Sequence, residues 1–376
     1  MAAAKSADPG IVELVAAIDE PNVVHSYGSE VHWRIKQGNA RSYQVVAKAI
    51  NASGVDLVSV QHEFGLYGNW NDAVYEDNLG PFLEALRRPV ITTLHSVQPR
   101  PKASMRDAMR SIARLSDEIV VMAETALDLL RNVYGIDVLA RVIPHGVPAV
   151  AIEPFSRTRM KQKLGLTGRT LISTFGLVDP RKGLEYVIEA MPAILADHPG
   201  ALYVIAGQTH PEQQRKSGEQ YRNRLISTVD RLGLQGQVSF LNEYMTQRDI
   251  IELLVATDVY VTPYLDQQQI TSGTLAYALG AGKAIVSTTY LHAVEALAEG
   301  RGVLVDFRDP DQLAEGVNSI LDDPVLKKRL ERGAYDYAKD MAWPRAGERW
   351  LEIVREVLTR SAAGALVGGG QGSLRS

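Results

Sequence analysis

Apolar positions along this chain follow two alternating rhythms. Short continuous apolar runs alternate with stretches in which apolar residues recur every three to four positions. The first rhythm is that of strands covered on both faces, the second that of amphipathic helices. Runs at 56–61 (DLVSVQ), 89–94 (PVITTL), 118–122 (EIVVM) and 140–143 (ARVI) predict strands. Helical spacing predicts helices over 43–52, 75–86, 103–115 and 123–134. The segment 144–157 is rich in proline and turn residues and reads as a linker. A second series predicts strands over 171–175, 201–206, 238–241, 259–262, 284–287 and 302–305. Its helices are predicted over 184–196, 221–232, 248–256, 275–279 and 312–322, with a last amphipathic helix over 343–358. Strand and helix in alternation imply parallel sheets wound on both faces. The expected fold is α/β: two Rossmann-like, doubly wound parallel-sheet domains facing across a cleft. The expected domains are 1–150 and 151–342, a helix over 343–360 packing back on the first domain, and a disordered Gly/Ser/Ala-rich tail over 361–376.

The most informative stretch is TLISTFGLVDPRKGLEYVIEAM, residues 170–191. An apolar run ends at Gly176. A short loop carries Asp179, Pro180, Arg181, Lys182 and Gly183. Leu184, Val187, Ile188 and Met191 then recur at i, i+3, i+4 and i+7. The first amides of a helix lack intrahelical partners and sit at the positive end of the dipole. Cations usually avoid that end, so Arg181 and Lys182 there predict an anionic ligand, most simply a phosphate or diphosphate.

Two further loops are expected at the same side of the second sheet. One is Gly207, Gln208, Thr209 and His210. The other is DQQQITSGT, in which Thr271, Ser272, Gly273 and Thr274 precede a helix. Small hydroxyls and a glycine there can supply donors to an anion, or simply cap the helix, worth about 1 kcal/mol. In the first half, His62 and Glu63 follow one strand, His95 closes another and His145 sits in IPHGV. They are read as lining a pocket, where neutral imidazole can donate to a sugar hydroxyl or phosphate, or as satisfied structural histidines.

Composition narrows the classes. The 376 residues carry a net charge of −4 and no cysteine. No positive field draws in nucleic acid, and thiolate chemistry and disulfides are excluded. No apolar run is long enough to span a membrane, and the start MAAAKSADPG lacks the apolar core of a signal peptide. The expected location is cytoplasmic. The histidines lack metal-ligand spacing, and the acidic pairs around Pro310 and at 322–323 read as helix-terminal residues rather than metal ligands. Walker A, GxSxG and GxGxxG motifs are absent.

FGLVDPRKGLEYVIEAMP, LYVIAGQTHP, VSFLNEY, ATDVYVTPY, TSGTLAYALGAGKAIVST and GVLVDF together resemble the donor domain of family-4 retaining glycosyltransferases of the GT-B fold. QHEFGLYG, VITTLH, EIVVMAETALDLL and VIPHGV resemble the acceptor domain of a bacterial subgroup. The motifs are individually loose; their number and order over about 40–358 carry the resemblance. It implies a nucleoside-diphosphate sugar donor, a saccharide or other hydroxyl acceptor, and transfer with retention. No cofactor and no metal is expected, because cations and helix dipoles would stabilise the leaving diphosphate. Lys182 and Arg181 match the diphosphate-binding position and its neighbour, and His95 the histidine that meets the donor sugar. Gly176, Gln269, Thr271, Ser272, Gly273, Thr274 and Tyr277 are the expected donor-binding set; His62, Glu63 and His145 face the acceptor.

The chain departs from the family pattern in three places. Gln269 and Tyr277 stand where the family carries two glutamates. Leu177 follows the glycine where a second phosphate-binding cation is usual. The family's opening strand and glycine-rich loop have no match before IVELVAAI at 11–18. An exposed sheet edge there would offer a homo-oligomer contact, with Tyr27, Trp33, Tyr67 and Trp70 covering it or packed in loops. These departures motivate two alternatives, a non-catalytic sugar-nucleotide or glycan-binding protein and a nucleotide-sugar epimerase.

Overall fold

The chain is described from a computed structural model covering residues 2–369 apart from 22, 72, 73, 152, 154 and 155. It divides into two units, Met1–Pro144 with Trp343–Ser376, and His145–Ala342.

The first unit contains β1 (Val15–Asp19), β2 (Val31–Lys36), β3 (Val58–His62), β4 (Gly68–Asn71), β5 (Val74–Asp77), β6 (Val90–Leu94), β7 (Glu118–Val121) and β8 (Ala140–Val142). A parallel sheet runs β3-β6-β7-β8. β1 pairs in parallel with β2 alone, outside that sheet, and β4 and β5 form an antiparallel hairpin. Helix Ala40–Ala52 starts at Asn39, whose side chain accepts the Ser42 amide, and buries Tyr43, Val46, Ala47 and Ile50. Those four sit at i, i+3, i+4 and i+7, one face of a helix. They share a core with Ile35, Val60, Leu79 and Phe82, and Trp33 packs against it.

Two expectations change here. The helix expected over 75–86 is a strand, β5, followed by helix Leu79–Ala85. The carboxylate of Asp77 accepts the amides of Leu79 at 3.1 Å and Gly80 at 2.7 Å, which ends the strand and starts the helix. The last helix runs Trp343–Gly369, so 361–369 are helical rather than disordered; 370–376 lie outside the described residues. SAAGAL extends an existing helix, which avoids the cost of nucleation. Ile353 and Val357 of this helix pack on Ile91 and Val120 of the first unit, and Arg360 pairs with the buried Glu118 at 2.7 Å.

The second unit contains β9 (Thr170–Phe175), β10 (Ala201–Ala206), β11 (Val238–Leu241), β12 (Val259–Thr262), β13 (Ala284–Thr288) and β14 (Val303–Val305). Their pairing is parallel throughout, in the order β11-β10-β9-β12-β13-β14. Side chains alternate between two cores. Ala201, Tyr203 and Ile205 enter one, while Leu202, Val204 and Ala206 enter the other. A strand covered on both faces therefore reads as continuously apolar. Helix Leu184–Asp197 buries Leu184, Val187, Ile188 and Met191 against the first of these cores. Each such side chain is worth about 1.5–3 kcal/mol of burial. Asp309 and Asp323 cap helices Pro310–Asp322 and Pro324–Ala338.

Counted from β9, the strand order is that of a doubly wound sheet, and the winding reverses between β9 and β12. Ligands of open α/β sheets bind outside the carboxyl ends of the strands at such a switch point.

Candidate functional site

The loops leaving β9, β10 and β12 meet at this reversal. Gly176 and Gly207 end β9 and β10 at φ 122° and 134°. A Cβ on Gly207 would lie 2.2 Å from the Gly176 carbonyl oxygen, so two backbones touch where only glycine fits. Beyond them, Val178 N–H donates to Gln208 O and His210 N–H donates to Val178 O, each at 2.9 Å. Asp179 then accepts the Arg181 amide at 2.8 Å and opens the single turn Pro180–Lys182. Gly183 closes it at φ 60°, where a Cβ would lie 2.3 Å from Pro263 O. The Leu265 amide donates to Arg181 O at 2.8 Å, so the cationic turn is fastened to the chain leaving β12.

The two cations of this turn differ. Arg181 is engaged by the buried Asp179, Nε to Oδ1 at 2.9 Å and Nη2 to Oδ2 at 3.0 Å. Burial by itself raises the Asp179 carboxyl, and the Arg181 side chain and amide outweigh it, so it is held below its ordinary value. Lys182 makes no such pair among the described residues. Its Nζ lies 3.7 Å from the centroid of the Tyr264 ring, a cation–π arrangement. Desolvation pushes its ammonium down to about 7; Asp179 opposes this and Arg181 adds to it.

The helix start behind them is less open than its sequence suggests. The Leu184 amide donates to the Tyr221 hydroxyl at 3.1 Å, and that hydroxyl bonds to the Glu185 carboxylate. An acidic residue in the first turn also offsets the dipole. The expectation of free amides at Leu184 is thus corrected: Tyr221, 37 positions along the chain, occupies the first one.

The third loop supplies what the first does not. Ser272 caps helix Gly273–Gly280, its hydroxyl accepting the Leu275 amide at 3.3 Å, so capping is one of its roles. The amides of Gly273 and Thr274 have no acceptor among the described residues. Thr274 Oγ1 lies 2.5 Å from the Tyr264 hydroxyl and 3.2 Å from Ser272 Oγ. Gln269 donates its side-chain amide to Thr271 O at 3.0 Å, and the buried Thr271 hydroxyl has no hydrogen-bond partner among the described residues. Tyr277 is half-buried, its ring against Phe175 and His145.

His145 needs a correction. Its sequence position suggests the acceptor side of the first domain, but it opens the second unit. Its Nδ1–H donates to Gly146 O at 2.9 Å, which leaves Nε2 as the acceptor of the neutral ring. That Nε2 lies 3.0 Å from where a Cβ on Gly273 would stand. His145 therefore backs the Ser272 loop.

In the first unit, His62 is also corrected. It is 0 % exposed, stacked on Tyr67 and edge-on to Phe64, and neither ring nitrogen has a hydrogen-bond partner among the described residues. Burial, reinforced by His95, pushes it down to about 4. A side chain so enclosed cannot face an acceptor. Glu63 caps the short helix Phe64–Tyr67 and accepts from Ser96 Oγ at 3.0 Å, and burial raises its carboxyl. His95 Nε2 lies 2.9 Å from Gln61 Oε1. Of the aromatics, Trp70 is 47 % exposed with Lys102 above its ring at 4.5 Å, and Tyr27 donates to Asp19 at 2.7 Å.

Among the described residues, no three His, Asp or Glu side chains gather as a metal site, and no helix is long and apolar enough to cross a membrane.

Comparison with known proteins agrees with this architecture. The family description "Glycosyl transferases group 1" matches residues 156–337, and "Glycosyltransferase Family 4" matches 13–149. A GDP-mannose-dependent monoacylated alpha-(1-6)-phosphatidylinositol monomannoside mannosyltransferase of Corynebacterium glutamicum is 26 % identical over 263 residues, 66 % of this chain. The chain spans 65 % of that relative's length. Among solved structures, Anabaena HepE in complex with UDP and glucose superposes with a TM-score of 0.66 at 19 % identity, over 84 % of this chain and 81 % of that one. Sucrose-phosphate synthase from Thermosynechococcus elongatus gives 0.69 at 16 % identity, over 92 % and 88 %. The two matched regions follow one another along the chain and cover most of it, and this protein belongs to the family-4 glycosyltransferases of the GT-B fold.

Proposed function

We propose that this chain transfers a sugar from a nucleoside-diphosphate sugar to a hydroxyl acceptor, with retention of configuration and without a metal. The observation that carries the reading is that Tyr264 links Lys182, above its ring, to Thr274 Oγ1 at the start of the next helix, at the switch point of the second unit. A diphosphate there would meet an ammonium and two unpaired amides. Both favour the charge that grows on the departing phosphate as the glycosidic bond breaks. Retention needs no dedicated carboxylate nucleophile if the acceptor attacks from the face the diphosphate leaves. Gln269, Thr271 and Tyr277 are proposed for the sugar and ribose, and His95 and Glu63 for sugar and acceptor recognition. HepE is described with UDP and glucose, and the Corynebacterium relative is named for GDP-mannose, so UDP- and GDP-sugars are the proposed donors.

The test is transfer and hydrolysis across UDP- and GDP-sugar donors, with product configuration read by NMR, in the presence and absence of a chelator. Inversion of configuration, or turnover that a chelator abolishes, would overturn the mechanism. A second reading, binding without turnover, draws support from Arg181, whose charge is engaged by Asp179, so that of the two cations of this turn Lys182 is the one without a carboxylate among the described residues. It predicts nucleotide binding by calorimetry and no turnover with any donor.

A further inference from the structure

The loop bearing Gln269, Thr271 and Ser272 is held from outside by a histidine that belongs to no recognisable motif. His292 lies in the first turn of helix Leu291–Ala296, which follows β13, and is 5 % exposed. Its Nδ1 accepts the Ser272 amide at 2.9 Å. Its own backbone N–H donates to Gln269 O at 3.0 Å, and the Leu291 amide donates to Gln267 O at 3.3 Å. Two of these bonds are backbone to backbone and survive a change of side chain. The third exists only because an unprotonated ring nitrogen stands at Nδ1, which places the proton of the neutral ring on Nε2. Burial keeps the imidazole in that state, opposed by Glu295 and reinforced by His145.

Ser272 is the hub of this loop. It is 3 % exposed, caps the helix and touches Thr274 Oγ1, which meets the Tyr264 hydroxyl beneath Lys182. The orientation of the Ser272 peptide sets where the next two amides point. We propose that His292 is a positioning residue for the nucleoside-diphosphate donor, aiming the Gly273 and Thr274 amides by holding Ser272 N–H. This rests on the diphosphate reading of the site given above.

The test compares His292→Asn, whose Oδ1 can accept where Nδ1 did, with His292→Leu and His292→Gln, which place no acceptor there. UDP and GDP are titrated into the full chain by calorimetry, and donor KM and kcat are measured beside thermal melting. His292→Leu is expected to weaken nucleotide binding about tenfold and to lower kcat/KM for the donor by at least as much, because the same amides face the charge that grows during transfer. His292→Asn should restore both. Should the leucine variant fail to fold, the Gln and Asn pair carries the same contrast. Parental affinity in His292→Leu or His292→Gln, or an Asn variant as impaired as Leu, would overturn the proposal. Lys182→Ala is measured alongside. If it weakens nucleotide binding while the Leu and Gln variants do not, only the role of His292 fails. If Lys182→Ala leaves binding intact, the diphosphate reading fails and this proposal with it.

Discussion

Lys182 Nζ lies 3.7 Å from the centre of the Tyr264 ring, and the hydroxyl of that tyrosine lies 2.5 Å from Thr274 Oγ1. One aromatic side chain thus connects the cationic turn after β9 to the helix start after β12. The ammonium is parked on a π face, with no carboxylate paired to it among the described residues. A cation held this way is available to an incoming anion, which a paired one is not.

Lys182→Ala is expected to lower kcat/KM for transfer at least about tenfold, equivalent to roughly 1.4 kcal/mol of transition-state stabilisation. The measurement is steady-state turnover with the best donor, on protein shown to be folded by circular dichroism. Parental turnover in that variant would remove Lys182 from the mechanism.

Nucleotide binding should take up a proton. Desolvation holds Lys182 down to about 7, against an ordinary value of 10.5, so above neutrality the free protein carries it uncharged. A diphosphate favours the charged form and raises the value again. Affinity for UDP or GDP is therefore expected to fall as pH rises above about 7. Calorimetry in buffers of different ionisation enthalpy would report the uptake, and Lys182→Met should abolish it.

Lys283 offers a stability test away from the candidate site. It is 4 % exposed, its Nζ 3.4 Å from Thr257 O. Desolvation, with Arg157 adding and Glu331 and Asp258 opposing, pushes it down to about 7. The folded value lies below the unfolded one, so the unfolded chain binds the extra proton between about 7 and 10.5, and stability rises with pH across that window. Lys283→Met is expected to flatten this rise and to lift the melting temperature near pH 7 by a few degrees. A lower melting temperature in the methionine variant would show that the ammonium is a net stabiliser.

Gly207→Ala should destabilise the second unit by at least about 3 kcal/mol, because a left-handed residue would also strike a backbone oxygen. Its φ is 134°, and the added Cβ would stand 2.2 Å from Gly176 O. Gly165→Ala is the control: φ is 70°, and none of the described residues lies within 4 Å of the new atom. It should cost about 1 kcal/mol, from the backbone conformation alone. Urea unfolding of both variants compares them. Equal costs would mean that the close approach of the two loops does not matter.

The chain's own pattern determined the strands of the four- and six-stranded sheets, the stripe Leu184, Val187, Ile188 and Met191, and the cap at Asp309. Each depends on residues within a few positions of one another, where burial periodicity and cap chemistry are local. The pattern does not announce the helices Pro211–Ser217, Leu291–Ala296 and Pro324–Ala338 or the hairpin β4–β5. The first two are too short to show a period, and β4 and β5 have only four residues each.

What each candidate residue does was decided by the tertiary structure. The sequence placed Arg181 and Lys182 side by side; the fold gave one to Asp179 and the other to Tyr264. It placed Leu184 at a helix start; the fold filled its amide with Tyr221. It placed His62 at a strand end; packing on Phe64 and Tyr67 enclosed it. His292 reaches Ser272 across 20 positions and carries no motif. Lys182 and Tyr264 come from separate loops, after β9 and β12, that meet because the sheet winding reverses between those strands. Local periodicity reports that a strand exists, but not which other strand's loop will stand beside its end.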